Sequence, residues 1–352
     1  MISDNANSGS YACFDSDQTT YQWDLEESIF AYLEMKNVLT REKLDPALKL
    51  SPFLDTDERE ESLFSYYQRL CTTIDDVVCY MWIAQAFSGM TLQELKFYVD
   101  EMLQSNTGNT TIKTILTTSS DNSIIQTEYD APIPNFYKAQ QELYNRLMAN
   151  GIEVFVVTAS NEELIRMVVA DPKYGYNVKP QNVIGIATLL KDNTQLTVSR
   201  KQIQDNTYNQ MQNLNLKLTS YLWSPQSMFV GKYGAILTYI NQWKMPVLVA
   251  GDTPTSDGYM MFHAYNQQRG TIRLWVNRKD AYLTLIKQMK NQYASEQEQN
   301  DLPVTADKNW IYVTPNDLGP ENGMLSNITS KQKEVLEDKI RYLFSVSRTY
   351  AT

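Results

Sequence analysis

Apolar positions along this chain follow two rhythms. Short strand-like apolar runs fall near 11–15, 152–158, 247–251 and 271–276, the second of them rich in β-branched residues. Between them apolar residues recur at helical spacing near 136–150, 160–170 and 231–244. Runs apolar on both faces, alternating with amphipathic helices, predict an α/β fold with a doubly wound parallel sheet. Residues 21–133 break that rhythm. Helical patterns such as Leu92 to Leu103 dominate there, while Ser105 to Asn109 and Thr117 to Ser123 read as polar loop. A mainly helical cap over 21–133 is therefore expected, inserted into a core built from 1–20 plus 134–352. Residues 186–222 alternate around Asp192-Asn193 and predict a hairpin excursion; 330–344 reads as an amphipathic helix.

The strand runs end in residues that carry chemistry. Tyr11-Ala12-Cys13-Phe14 leads into Asp15-Ser16-Asp17-Gln18-Thr19. Carboxylates two positions apart at a strand end project to the same side, so both can face a crevice at the carboxyl edge of a parallel sheet. One can attack while the other handles a proton, and a divalent cation would restrain their repulsion. The run from Ile152 ends at Thr158, either a hydroxyl donor to an anion or the cap of the helix that follows. Gly231-Lys232 opens a helix, where the dipole disfavours a cation unless an anion lies close. Val247 to Ala250 breaks into Gly251-Asp252-Thr253-Pro254-Thr255-Ser256-Asp257, whose carboxylates would meet the first pair at the same edge.

In this order the four segments resemble the motifs of the haloacid dehalogenase superfamily of phosphatases. Phe14 to Ser28, Glu61-Ser62-Leu63-Phe64-Ser65-Tyr66-Tyr67 and Gly251 to Pro254 narrow the resemblance to the bacterial phosphorylcholine phosphatases, over about 11–315. The resemblance implies that Asp15 is the nucleophile, forming an aspartyl phosphate. Asp17 would be the acid/base, its backbone carbonyl also a metal ligand. Thr19, Thr158 and Lys232 would bind phosphate. The metal residues would be Asp15, Asp17, Asp252 and Asp257, with Asp257 the outer acid that orients a metal-bound water or Lys232. The implied cofactor is Mg²⁺, with Zn²⁺ or Cu²⁺ as substitutes because affinity alone does not favour magnesium.

For choline the resemblance points to Glu26, Glu27, Tyr66 and Tyr67, with Gln68 standing where a third aromatic is expected; Trp23 is a further candidate. A quaternary ammonium offers no hydrogen-bond donor and must be held by π faces and negative charge. Asp24 to Glu27 also fits a capping box. Adjacent helical residues diverge by about 100°, so only one of Glu26 and Glu27 is expected in a pocket, and Glu27 is the choice. The expected activity is a Mg-dependent phosphomonoesterase hydrolysing phosphorylcholine. Phosphoethanolamine, phosphoserine and aryl phosphates are competing substrates, and a non-catalytic choline-binding protein is the alternative of another class.

Composition narrows the field further. A net charge of −10 and a pI near 4.8 argue against nucleic acid and anionic membranes as partners. The single histidine, His263, excludes multi-histidine zinc sites and is expected in a packed or surface role rather than a catalytic one. Cys13 reads as a core residue. Cys71 and Cys79 would lie about 12 Å apart on one continuous helix, so a bridge requires a break at Thr72-Thr73-Ile74-Asp75; that segment reads as a turn and a new helix cap, and a Cys71–Cys79 bridge is expected, in an oxidising compartment. Met1 to Ser10 lacks the apolar core of a signal peptide. The resemblance nevertheless implies export to the periplasm, the chain being then a mature form with an added Met; the alternative is cytoplasmic. Oligomeric state stays open.

Overall fold

The computed structural model describes residues 1–120 and 123–321. After a short α1 (Ile2–Asn5) the chain enters β1 (Tyr11–Phe14) and β2 (Tyr21–Gln22). Helices α2 (Leu25–Met35), α3 (Leu63–Thr73), α4 (Asp76–Ala86) and α5 (Leu92–Ser105) follow, then β3 (Thr111–Ser120) and β4 (Ser123–Pro132). It continues through β5 (Asn135–Tyr137), α6 (Lys138–Ala149), β6 (Glu153–Asn161), α7 (Glu162–Val169) and β7 (Val183–Ile186). The excursion comprises β8 (Thr188–Lys191), β9 (Leu196–Thr197), α8 (Ser199–Gln204), α9 (Gln210–Asn213) and β10 (Lys217–Leu222). The described residues end with α10 (Val230–Ala235), β11 (Leu248–Gly251), α11 (Pro254–His263), β12 (Ile272–Val276), α12 (Asp280–Gln299), β13 (Trp310–Val313) and β14 (Pro320–Glu321).

Among the described residues, six parallel strands form the central sheet in the order β13-β12-β11-β1-β6-β7. Period-two alternation explains its two covered faces. Ala12, Phe14, Val154, Val156, Leu248 and Ala250 join one buried cluster with Leu143 and Leu147 of α6 and Leu164 and Val168 of α7. Tyr11, Cys13, Phe155, Val157 and Val249 join another with Ala235, Met260, Met261 and Ile286, from α10, α11 and α12. The doubly wound α/β core is as expected. The chain runs from β1 to β6 on one side and later to β11 on the other, which makes the carboxyl end of β1 a topological switch point.

The insertion between β2 and β5 holds four helices, and its α2 and α3 side chains extend the first buried cluster. It is not wholly helical. The expected loop at Thr117–Ser123 is in large part strand: β3 and β4 pair antiparallel from Thr111↔Pro132 to Ser120↔Ser123. Thr, Ile and Leu along this stretch favour a pleated surface, so the polar composition was a misleading guide. The excursion at 186–222 is a three-stranded sheet, β10-β8-β9. The helix expected over 231–244 stops at Ala235 and continues as a wider π turn over Ile236–Ile240. The helix expected over 330–344 lies outside the described residues.

Ile74 and Asp75 break the helix between Cys71 and Cys79. Asp75 caps α4 by accepting from Val77 N at 2.8 Å. The break brings the two Cα atoms to 5.1 Å, and the sulfurs are bonded. Cys13 is free and buried. His263 is exposed and stacks among Tyr233, Tyr259 and Tyr293. No helix among the described residues is long and apolar enough to cross a membrane.

Candidate active site

The ends of β1, β6, β11 and β12 deliver Asp15, Thr158, Asp252 and Arg278 to one cavity of about 420 Å³. The insertion closes its other side with Trp23, Glu26, Glu27, Tyr67, Tyr80 and Tyr129. Asp15 is its focus. Lys232 Nζ donates to Asp15 Oδ1 at 2.6 Å and to Asp257 Oδ1 at 2.7 Å, and all three residues are buried. The helix-start lysine thus has two carboxylates to offset the dipole. Burial alone would favour the neutral amine, but Asp15 and Asp257 outweigh it and hold Lys232 above the ordinary lysine range. Burial also raises Asp15 well above the usual carboxylate range; Asp257 adds to the rise and Lys232 offsets part of it.

Asp257 is fully buried, and both its oxygens are used. Its Oδ2 accepts from Asp252 N (2.8 Å) and Thr253 N (2.9 Å), which sets the turn that aims Asp252. Gly251 permits this, since a Cβ there would lie 2.6 Å from the Asp257 carboxylate. Asp257 does not line the cavity. Its Oδ1 serves Lys232 and its Oδ2 the turn. Asp252 Oδ1 accepts from Thr19 Oγ1 at 3.0 Å; its Oδ2 accepts from Thr253 Oγ1 at 2.9 Å and from Arg278 Nε. Burial raises the Asp252 pKa and Arg278 opposes the rise. Carboxylate oxygens of Asp15, Asp252 and Asp257 can lie within 4.8 Å of one another.

Asp17 is braced on both oxygens. Oδ1 accepts from Leu25 N (2.8 Å), at the start of α2, and from Tyr21 Oη (3.1 Å); Oδ2 accepts from Ser16 Oγ (2.6 Å) and Ser160 Oγ (2.7 Å). Thr158 shares a 2.6 Å hydrogen bond with Ser16 and lines the cavity. The cap of α7 is Asn161, which accepts from Glu163 N and Leu164 N, so capping is not the role of Thr158. Thr19 lies outside the lining, its hydroxyl turned to Asp252.

In the other half of the cavity the structure sorts the candidates. Asp24 caps α2 by accepting from Glu27 N at 2.8 Å, but Glu27 does not return the bond. Instead Glu27 Oε1 accepts from Tyr67 Oη (3.0 Å) and Gln68 Nε2 (3.1 Å). Burial raises the Glu27 pKa and these donors oppose the rise. Glu26 also lines the cavity, contrary to the expectation that only one acid could enter, and accepts from Asn161 N at 2.9 Å. Trp23, Asp24, Glu26, Glu27 and Ser28 all line it, so the cavity takes side chains from around the first turn of α2 and not from one flank alone. Tyr66 does not line the cavity. Its hydroxyl donates to Ser51 O at 3.0 Å and its ring packs on Phe53 and Trp82, because successive helical positions point different ways. Sequence reasoning did not single out Tyr80, Tyr129, Tyr282 or Arg278. Each comes from a different element, and no local spacing marks it.

Chemically, the arrangement sets a lysine-clamped carboxylate beside a second, hydrogen-bonded carboxylate and a hydroxyl donor. An acidic, aromatic wall faces them. No protein-family model matches the chain. A phosphorylcholine phosphatase of Pseudomonas aeruginosa is 54% identical over 320 residues, which cover 90% of this chain and 89% of that protein. Among solved structures, a conserved protein of unknown function from Anaerococcus prevotii shares the fold with a TM-score of 0.55 at 16% identity, over 83% of this chain and 87% of that one.

Proposed function

The chain belongs to the phosphorylcholine phosphatase family and is a phosphoric monoester hydrolase, and we propose that it hydrolyses phosphorylcholine through an aspartyl phosphate on Asp15. The observation that carries this reading is the pairing, across one cavity, of the Lys232-clamped Asp15 with Glu27 and its ring of tyrosines. The first end suits a phosphate and the second a cation without donors.

With Asp15 Oδ1 held by Lys232, Oδ2 is the attacking atom. It attacks phosphorus as the P–O bond to choline breaks, and Asp17 gives its proton to the departing choline oxygen. Water then yields a proton to Asp17 and attacks the phosphorus of the aspartyl phosphate, which releases phosphate and restores Asp15. Thr158 and Lys232 hold the phosphate oxygens through both steps, because phosphoryl transfer asks chiefly for positioning and charge neutralisation.

Lys232 and Arg278 pair with Asp15, Asp252 and Asp257, two cations against three carboxylates, which leaves the site short of positive charge before a phosphate arrives. The donors are all oxygen, which fits a hard divalent cation such as Mg²⁺. Asp15, Asp252 and the Asp17 carbonyl would hold it, and Asp257 would act from behind through Lys232. Bound there, the cation would neutralise phosphate charge. Residues 21–133 serve as a cap that supplies the cation-facing wall. Export to an oxidising compartment is the reading that the Cys71–Cys79 bond supports.

The test is phosphate release from phosphorylcholine, phosphoethanolamine, phosphoserine and p-nitrophenyl phosphate, with Mg²⁺ and with EDTA. Preference for phosphorylcholine is expected, with background rates in EDTA and for Asp15→Asn. Wild-type turnover by Asp15→Asn would remove the nucleophile assignment, and full activity in EDTA would remove the metal.

A further inference from the structure

Glu27 faces the cavity, yet one of its oxygens is tied from behind. Its Oε1 accepts from Tyr67 Oη at 3.0 Å and from Gln68 Nε2 at 3.1 Å, on consecutive residues of α3. Tyr67 has little freedom, since Phe30 and Phe64 flank its ring at centroid distances of 6.4 and 6.2 Å. Gln68 is half-buried and does not line the cavity. Consecutive helical side chains leave the axis about 100° apart, so donors converging from both fix the oxygen in two directions. Glu27 Oε2 receives no hydrogen bond among the described residues, and Trp23, Tyr80 and Tyr129 share the cavity with it.

We infer that Gln68 is a positioning residue for substrate recognition: with Tyr67 it clamps Glu27 Oε1 against the wall, so that Oε2 faces the cationic end of the substrate. The inference rests on the phosphorylcholine reading above. A quaternary ammonium has no N–H with which to orient a carboxylate, so the orientation must come from the protein. Two donors to the ionised carboxylate also counter the burial that favours its protonated form. The amide at 68, where an aromatic was expected, is therefore no lost π face; it supplies a donor that a phenyl ring lacks.

The test compares Gln68→Met, close in shape but without a donor, on phosphorylcholine and on p-nitrophenyl phosphate, which has no cation. The ratio of the two KM values is expected to rise about tenfold, as for a lost hydrogen bond to a charged group, with kcat for phosphorylcholine largely kept. The acid limb of kcat/KM for phosphorylcholine is expected to move to higher pH. In a Glu27→Gln background the same substitution is expected to add nothing. Gln68→Ser, polar but too short to reach Glu27, gives the same comparison should the methionine variant fail to fold. An unchanged ratio, or equal losses on both substrates, would overturn the inference. A wild type with no preference for phosphorylcholine would instead remove the substrate reading, and the inference with it.

Discussion

Asp257 never touches the cavity, yet its replacement by asparagine is expected to disable the site. Its carboxylate accepts three hydrogen bonds: Lys232 Nζ on Oδ1, and the Asp252 and Thr253 amides on Oδ2. Asparagine has one acceptor oxygen and one donor NH₂ of the same shape, so either rotamer sets a donor against a donor. The less costly rotamer keeps the two amide bonds and turns NH₂ toward the Lys232 ammonium. That loses one charge-assisted hydrogen bond, about 1.5–3 kcal/mol, and leaves the buried lysine to Asp15 alone. Asp257→Asn should therefore be less stable by about 2–3 kcal/mol in urea unfolding. A displaced ammonium should lower kcat roughly 100-fold, the scale of losing one preorganised charge. The assays are urea titration followed by tryptophan fluorescence and phosphate release under saturating substrate. Unchanged stability together with unchanged kcat would refute the assignment of Asp257 as the anchor of Lys232.

Two other expectations concern the frame around the site. Asp171 accepts from Lys96 Nζ of the insertion at 2.7 Å and from Lys173 N at 3.1 Å. Burial opposes these partners, but they prevail and depress its pKa below the usual carboxylate value. A depressed acid contributes stability above its unfolded pKa and loses it as pH falls through the folded one. Asp171→Asn should thus cost about 0.5 kcal/mol at pH 7, after allowance for solvent screening, and the cost should shrink as pH falls below the usual carboxylate range; a cost that stays constant down to acid unfolding would contradict the ion-pair account. For the cysteines, thiol titration in denaturant without reductant should find only Cys13 reactive. Cys71→Ser should cost about 2.5 kcal/mol on a chain-entropy estimate, and three reactive thiols would exclude the bond.

The chain's linear pattern already contained the strands and the chemistry at their ends. Short apolar runs followed by Asp15, Thr158 and Asp252 are local signals, since a parallel sheet sends every strand's carboxyl end to one edge. Lys232 was legible for a related reason, a cation at a helix start that needs an anion. The break at Ile74-Asp75, and with it the disulfide, was readable from a new cap residue. What was misread had ambiguous local chemistry: the polar stretch from Thr117, read as loop, could be loop or strand until a partner strand covered the backbone groups of Thr117–Ser120. Only the tertiary structure decided which side chains behind and across the cavity act together. Asp257 became the anchor of Lys232 through a turn that Gly251 leaves room for. Tyr66 was withdrawn into the core while Tyr67 and Gln68 met Glu27, and Tyr80, Tyr129, Tyr282 and Arg278 arrived from four separate elements. Those contacts depend on how far apart and at what angle packed elements lie, and periodicity along a chain carries no measure of that distance.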